Sequence, residues 1–471
     1  MTADDKNVTP PPSPAGDAPS HPPDGSNARA RTHRALLSFF VSVAFTLVLV
    51  ALKTKFEGTF FGQQVEEMSY AVLQHHLTPP TADNLSVIVL DISGIPMTVA
   101  SSLQPDKVTD RTRLSKIVSS LITEDDKPMA IGLDVDFSPS AYGYADAADE
   151  QIFKDFLKIQ NDNDNKLPIR VGVNSSLGLG PEKWLLNPDY LNLASCVVVP
   201  TPEKGQSTRY MPEALDVDYR TPMAPYNAGE TGHCPAMGFA LVQASVPDVA
   251  SWARPFLQST VQKSGGPISK NEFLVDYSPL DLLSAAPPEI DLQTDLSNFK
   301  SQHHLKLAKK VVLIGRTKNT SDTFTVPGRP ETPYAGVFLH ACAAYTLLER
   351  PLYQLKEGGR LLVDLALSLG IFGIVLAFRL RSRQPAAEAF FEHRLPELLA
   401  VTVAITVFAL ELWLVPITHF MWDDFILVSL VLLAHSPIEH TSRRACSWLA
   451  SRVTSWWDTP VPSSDSNSEG E

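Results

Sequence analysis

Six residues in this chain have the types and positions that could do chemistry. Asp91 closes the apolar run LSVIVLDIS (85–93), and Asp134 with Asp136 closes AIGLDVDF (130–137). Gly315 ends KKVVLIG (309–315), Asp322 lies in the loop that follows, and His340 sits on the next helical stretch. Carboxylates and imidazole are the usual donors to a divalent cation, so Asp91, Asp134 and Asp322 form a candidate metal set and His340 a neighbouring ligand. The same groups could instead hydrogen-bond a small molecule. A structural reading stands beside the functional one: Asp at the end of a strand commonly caps a helix or bonds loop backbone, and a histidine beside alanines can be a satisfied core residue.

The elements that must position these residues follow from periodicity. Short apolar runs alternate with helical patterns: 85–93, a helix over 110–122, 130–137, a helix near 149–158, and IRVGVNS (169–175). Such alternation predicts βαβ units and a largely parallel, mixed α/β sheet flanked by helices. Further apolar runs follow at ASCVVVP (194–200), MGFALVQA (237–244), EFLVDYS (272–278) and KKVVLIG, then a helix over about 336–348. Residues 200–234, rich in Pro, Gly and Tyr, read as one long loop. Open parallel sheets bind ligands at the carboxyl ends of their strands, where Asp91, Asp134 and Asp322 fall.

Signatures of catalysis were sought in the same residues. There is no HExxH, no GxSxG, no Walker loop and no kinase motif set, because GRTKNTSDT lacks the second Gly and the Lys-Ser/Thr that cradle phosphates. The expectation is a protein that is not an enzyme, with a metal-assisted hydrolase built on Asp91, Asp134 and His340 as the rival. No cofactor signature is present, so the cofactor is unknown.

The chain has 471 residues, 44% hydrophobic and 19% charged, with a formal net charge of −13. An acidic chain without a basic stripe is not built to bind nucleic acid, which requires clustered Lys and Arg. Its apolar residues are gathered into long runs. Residues 35–52 carry about 18 residues without a charge, enough for a helix to cross the bilayer. Three more spans are expected at 361–380, 397–416 and 419–436, for four in all. Arg29, Arg31 and Arg34, then Arg379, Arg381, Arg383 and Arg394, then Arg443, Arg444 and Arg452 all fall on one side of that arrangement. The positive-inside rule then puts both termini in the cytoplasm of an inner membrane and about 300 residues outside.

Residues 1–34 form a Pro-rich leader whose composition predicts disorder. Phe60, Phe61, Val65, Met68, Val72 and His75–His76 recur at helical spacing, predicting that the first span continues outward as a stalk within an extracytoplasmic domain over 53–355. In the tail 437–471, Cys446, Leu449, Val453, Trp456 and Trp457 face away from the arginines, as an interfacial helix would. Of the four cysteines, Cys196 and Cys234 are the candidate disulfide of an oxidising compartment, and Cys342 reads as a small apolar residue.

The ordered set LSVIVLDIS, Arg111 opening a helix, AIGLDVDFSP, KKVVLIGRT, SDTFTVP and YAGVFLHACAAYTLL resembles the type-two CHASE domain, the cyclase and histidine-kinase associated sensory extracellular module. The resemblance implies one span before the sensor and three after it, a bacterial envelope location, and coupling to a kinase or cyclase output. It adds Arg111 and Gly315 to the candidate ligand-binding set of Asp91, Asp134, Asp136, Asp322 and His340. The chain departs from the family plan in three places: no output domain follows the last span, QPDKVTD precedes Arg111, and KGQST precedes Arg209. The expected protein is thus a membrane-anchored sensor of an unknown small ligand or ion. It would act on a separate signalling output protein, with a second copy of the chain as a further candidate partner. An envelope scaffold whose outer domain binds another protein is the alternative.

Overall fold

The computed structural model describes residues 59–137, 147–173, 192–217, 232–246, 272–381 and 394–421, apart from short stretches within them, with scattered positions between 36 and 55. In chain order the strands are β1 (Val87–Asp91), β2 (Met97–Ser101), β3 (Gln104–Thr109), β4 (Ala130–Asp136), β5 (Ile169–Val173), β6 (Ala194–Cys196), β7 (Tyr210–Pro212), β8 (Ala214–Val217), β9 (Gly232–Pro235), β10 (Glu272–Leu274), β11 (Val311–Gly315), β12 (Thr323–Val326) and β13 (Arg329–Ala335).

Five of these form one parallel sheet in the order β1-β11-β4-β5-β6. A strand covered on both faces must be apolar throughout. β11 meets that requirement: every residue of VVLIG is buried, and the strand lies between β1 and β4. The antiparallel pairs are separate two-stranded ribbons, so the expected mixed sheet resolves into a wholly parallel sheet with ribbons around it.

One face is covered by the helices Arg111–Leu121 and Ala147–Gln160. Leu114, Ile117, Val118 and Leu121 of the first, with Ile152, Phe153 and Phe156 of the second, pack on Leu90, Ile131, Leu133, Val312 and Ile314. Asp110 caps the first helix by accepting from the Arg113 N–H at 3.1 Å. The opposite face carries Met237–Ser245 and Gly336–Glu349, both apolar nearly all round, as a helix pressed between a sheet and other elements must be. Gly238 lets these two approach, since a Cβ there would lie 2.7 Å from the His340 carbonyl oxygen.

Three local expectations are corrected, and one further strand is added. MGFALVQA is a helix, because a run apolar on all sides does not by itself separate a buried helix from a strand. EFLVDYS contributes β10, which pairs with β7 outside the main sheet. Residues 200–234 contain β7, β8 and part of β9. QPDKVT forms β3, paired with β2.

The stalk helix spans Phe60–His76, opened by Thr59, whose side chain accepts from Gly62 N–H. Its buried face differs from the one the sequence suggested: Ser69, Tyr70, Leu73 and Leu77 are buried, while Phe61 and Met68 are more than half exposed. Tyr70 donates to the Val275 carbonyl, and Gln74 bonds Val275 O at 3.2 Å and Tyr277 N–H at 3.0 Å, so this helix is sewn to the segment after β10. Ser207 to Glu67 at 2.6 Å and Arg209 to Glu66 at 3.4 Å add a second seam.

The chain packs as two units, one of Leu49–Ala366 with Ala400–Ala434, the other of Met1–Val48, Leu367–Leu399 and His435–Glu471. The expected spans at 361–380 and 397–416 fall within the helices Glu357–Arg381 and Leu395–Thr418. Among the described residues, one helix is long and apolar enough to cross a membrane, over Val401–Thr418, and Leu365–Phe378 is a shorter apolar stretch. The expected spans at 35–52 and 419–436, the leader and the tail helix lie almost wholly outside the described residues.

Candidate functional site

Register brings three of the candidate residues into one row. Asp91 pairs with Gly315, and Gly315 with Asp134, so the two aspartates flank a glycine at the carboxyl edge of the sheet. Parallel register puts all three on one face. It is the face of the helix Gly336–Glu349, since a Cβ on Gly315 would meet Val337 at 2.9 Å and the Asp134 Cβ at 3.1 Å. Two strand spacings nevertheless hold the Asp91 and Asp134 backbones about 9.5 Å apart.

Asp91 is fully buried and already engaged. Its Oδ1 accepts from Ser93 N–H at 2.8 Å, Ser93 Oγ at 2.5 Å and Thr317 N–H at 3.1 Å, and Lys318 Nζ approaches Oδ2 at 3.5 Å. Burial alone would raise its pKa, but the hydrogen bonds from Ser93 and Thr317 prevail and hold it below the usual carboxylate range. Asp91 therefore ties β1 to the loop after β11. The expected metal set of Asp91, Asp134 and Asp322 is not assembled. Among the described residues, no three His, Cys, Asp or Glu side chains lie close enough together to hold a metal ion.

Asp134, Asp322 and His340 instead form a chain of neighbours, Asp134 acting on Asp322 and Asp322 on His340. Asp322 precedes β12, and its carbonyl accepts from Gly336 N–H at 3.1 Å, which brings it to the N-terminus of the helix Gly336–Glu349. Any Cβ on Gly336 would collide with the Asp322 carboxylate, so the glycine is what lets that group approach the helix end. One turn further on, His340 is completely buried. Its Nε2 lies 3.1 Å from the Val197 carbonyl, which fixes the tautomer with the proton on Nε2 and leaves Nδ1 as a buried lone pair without a hydrogen-bond partner. A buried acceptor left unpaired costs roughly 1–3 kcal/mol, a cost that a ligand N–H, O–H or cation would relieve.

The electrostatics follow that chain. Burial, with the charge of Asp136, raises Asp134 to about 7. Partial desolvation, with the charge of Asp134, raises Asp322 to about 6, and His340 offsets part of the rise, although the residue as a whole is exposed to solvent. Burial lowers His340 against the opposing pulls of Val197 O and Asp322. Near neutral pH the cluster is thus two carboxyls at the point of ionising, beside a neutral imidazole. Asp136 is exposed, and its carbonyl accepts from Arg111 Nη2 at 2.9 Å. Arg111 stacks on the Phe137 ring, 3.8 Å from its centroid, and so braces the end of β4.

A family model described as the CHASE2 domain matches residues 42–377 of this chain. The chain belongs to the CHASE2 family. CHASE2 domains are extracellular sensory domains of membrane proteins, so the parallel sheet and its carboxyl-edge cluster belong to a sensory module. Comparison with curated proteins and with solved structures found no match.

The CHASE2 domain also holds residues that sequence reasoning missed. Asp276 is fully buried, accepts from Ser278 N–H at 2.8 Å, and pairs with Arg350 at 3.3 Å. Its own N–H donates to Thr346 Oγ1 at 2.8 Å, and Arg350 reaches Thr78 O at 2.7 Å, just beyond the stalk helix. The helix that carries His340 at one end is therefore bonded at its other end to the exit of the stalk. The signal for Asp276 was available in the sequence, an acid inside the apolar run EFLVDYS, but its partner Arg350 is 74 residues away.

The two cysteines of the candidate bridge lie side by side. Cys196 and Cys234 are both free and buried; they are neighbours because β6 packs on β9. A hydrogen bond from Cys196, with burial, pushes the Cys234 thiol well up. Cys342 is buried in the helix beside Thr346, as its apolar surroundings suggested.

Proposed function

We propose that this CHASE2 protein is a membrane-anchored extracytoplasmic sensor whose ligand, a small molecule or ion bearing hydrogen-bond donors or positive charge, engages Asp134, Asp322 and His340. The observation that carries the reading is the buried, unpaired Nδ1 of His340 beside two carboxyls whose proton affinity is raised. Acceptors in that state gain most from a cationic or donor-rich partner.

The response would travel along the helix Gly336–Glu349. Ligand at Asp322 and His340 acts on the first turns of this helix, and Arg350 and Thr346 tie its far end to Thr78 and Asp276. The segment after it also meets the apolar helix Leu395–Thr418: Tyr353 N–H donates to His419 O at 2.9 Å, and Met421 N–H to Tyr353 O at 2.7 Å. Both contacts favour the arrangement with four spans, cytoplasmic termini and an outer turn near 416–424. A ligand shifts such a bundle only by its differential affinity for two states. The output is passed to a separate membrane or cytoplasmic signalling protein.

The test is hydrogen exchange on the full chain in nanodiscs, with ammonium, guanidinium or putrescine added in turn. A sensor of this kind shows one of them slowing exchange in Gly336–Glu349 and altering it in Phe60–His76, with both effects lost in Asp322→Asn and in His340→Gln. If every compound leaves both helices unchanged, or if the change survives both variants, the reading fails and the scaffold alternative takes its place.

A further inference from the structure

A cavity lies away from the carboxyl-edge cluster. It is a cleft half open to solvent, has a volume of about 390 Å³, and is bordered by the stalk helix, the segment after β10, and the turn between β12 and β13. Its apolar wall is formed by Met68, Ala71 and Val72 with Pro327, and Tyr277 lines it as well. Its polar wall includes His75, His76, Ser278 and Arg329. Among the described residues, none that lines it is acidic.

We propose that this cavity binds a small carboxylate with an apolar body. The volume falls in the range of small-molecule sites, which are mostly apolar with a few placed polar groups. Arg329 is held in place from outside the cavity: Asp281 grips its guanidinium with both oxygens, and Tyr334 OH accepts from it at 3.0 Å. An arginine fixed in this way has N–H donors left for a second partner, and a carboxylate is the partner its fork fits. The imidazole of His75 adds a donor on the helix side, whereas the His76 ring spends its Nδ1–H on the Val72 carbonyl at 2.9 Å. The remaining polar wall is already committed, since Gln74 spends its amide on Tyr70, Val275 and Tyr277.

The turn is shaped to make this space. Gly328 adopts a φ of 77°, a left-handed conformation that an L side chain rarely takes, and Ala71 lies 3.6 Å from where its Cβ would be. The turn thus closes on the stalk helix through small residues and leaves room on either side. Because three residues of that helix form the apolar wall, the occupant would bear directly on the element that leads from the membrane into the domain. The proposal stands on its own observations and does not depend on the carboxyl-edge reading.

The test is titration of the full chain in detergent micelles with benzoate, phenylacetate and hexanoate, with empty micelles subtracted and with benzamide and benzyl alcohol as neutral controls. At least one carboxylate should bind saturably, at least tenfold more tightly than the neutral controls. Arg329→Gln should weaken it at least tenfold. Met68→Trp, a filling substitution at an exposed position, should do the same with an unchanged circular dichroism spectrum, and decides the matter if Arg329→Gln fails to fold. Asp322→Asn should leave the affinity intact. Absence of binding, equal affinity for the neutral controls, indifference to Met68→Trp, or loss in Asp322→Asn would each overturn the proposal.

Discussion

Replacing Asp134 with Asn tests the electrostatics of the carboxyl-edge cluster through stability alone, with no ligand needed. Burial and Asp136 raise this carboxyl from 3.8 to about 7, so the folded chain keeps a proton that the unfolded chain releases from about pH 4 upward. The folded state binds more protons across that window, so stability falls as pH rises from 3.8 to 7. Each tenfold in proton affinity is worth about 1.4 kcal/mol, and about two of the three tenfold steps lie between pH 5 and pH 8. Because Asp134 is only half-buried, solvent screening roughly halves the sum, leaving about 1.5 kcal/mol. For a domain of this size that corresponds to about 3–6 °C in unfolding midpoint. Asparagine cannot ionise, so the variant lacks this loss; removing the charge also relieves Asp322, which flattens the profile further. His340 works in the opposite sense, its lowered pKa making stability fall as pH drops below about 6.5, but that contribution is common to both proteins and cancels in the difference. The assay is thermal unfolding of the full chain in detergent at half-unit pH steps, wild type against Asp134→Asn. A gap that widens by several degrees in favour of the variant from pH 5 to pH 8 is expected. A gap constant within about 1 °C would refute the raised affinity, and with it the picture of a carboxyl poised to meet a cation.

Other substitutions separate the structural residues from the candidate ligands. Asp91→Ala removes the acceptor of Ser93 and Thr317 and should cost about 3 kcal/mol in denaturant unfolding, without altering any ligand response that Asp322→Asn abolishes. Arg350→Met leaves the buried Asp276 without its cation and should destabilise by about 3–5 kcal/mol; Arg350→Met combined with Asp276→Asn should recover much of that, as urea titrations of the single and double variants would reveal. Gly238→Ala forces the two helices of one face apart against the His340 carbonyl and should cost about 1–3 kcal/mol, readable as a lower unfolding midpoint. Alkylation followed by mass spectrometry should find Cys196, Cys234 and Cys342 as unreactive thiols in the native chain and reactive ones in denaturant, because all three are buried.

The parallel sheet was legible because its strands are covered on both faces and so read as continuous apolar runs, β11 most of all. The carboxyl-edge position of Asp91, Asp134 and Asp322 followed from the same reading. What the pattern could not say was which of the acids would be spent on backbone: Asp91 and Asp134 share one row of the sheet, yet Ser93 and Thr317 claim the first and nothing comparable claims the second. That difference rests on a serine two residues away and a threonine 226 residues away, and only the fold brings the second of these into reach. The stalk helix was found by its period, but its buried face was misassigned, because Phe61 and Met68 are as apolar as Tyr70 and Leu73 and periodicity ranks them alike. The helix Met237–Ser245, apolar all round, has no period to read.

The state of the cluster also constrains how any ligand must behave. A ligand that needs Asp134 and Asp322 ionised must displace the protons they hold, since their affinities are raised to about 7 and about 6. Its affinity should therefore fall with acidification, first about tenfold per pH unit below 7 and more steeply below 6, and each binding event should release protons. A neutral ligand that donates to His340 Nδ1 and accepts from a protonated carboxyl would show the opposite trend. Moving a two-state element from 1:99 to 99:1 takes a preference of about 5.5 kcal/mol for one state. The unpaired imidazole supplies roughly 1–3 kcal/mol of that, so it cannot drive the switch alone, and the two carboxyls must furnish the rest. The pH dependence of binding is thus tied to the strength of the signal, and a cation sensor working through this cluster responds best above neutral pH.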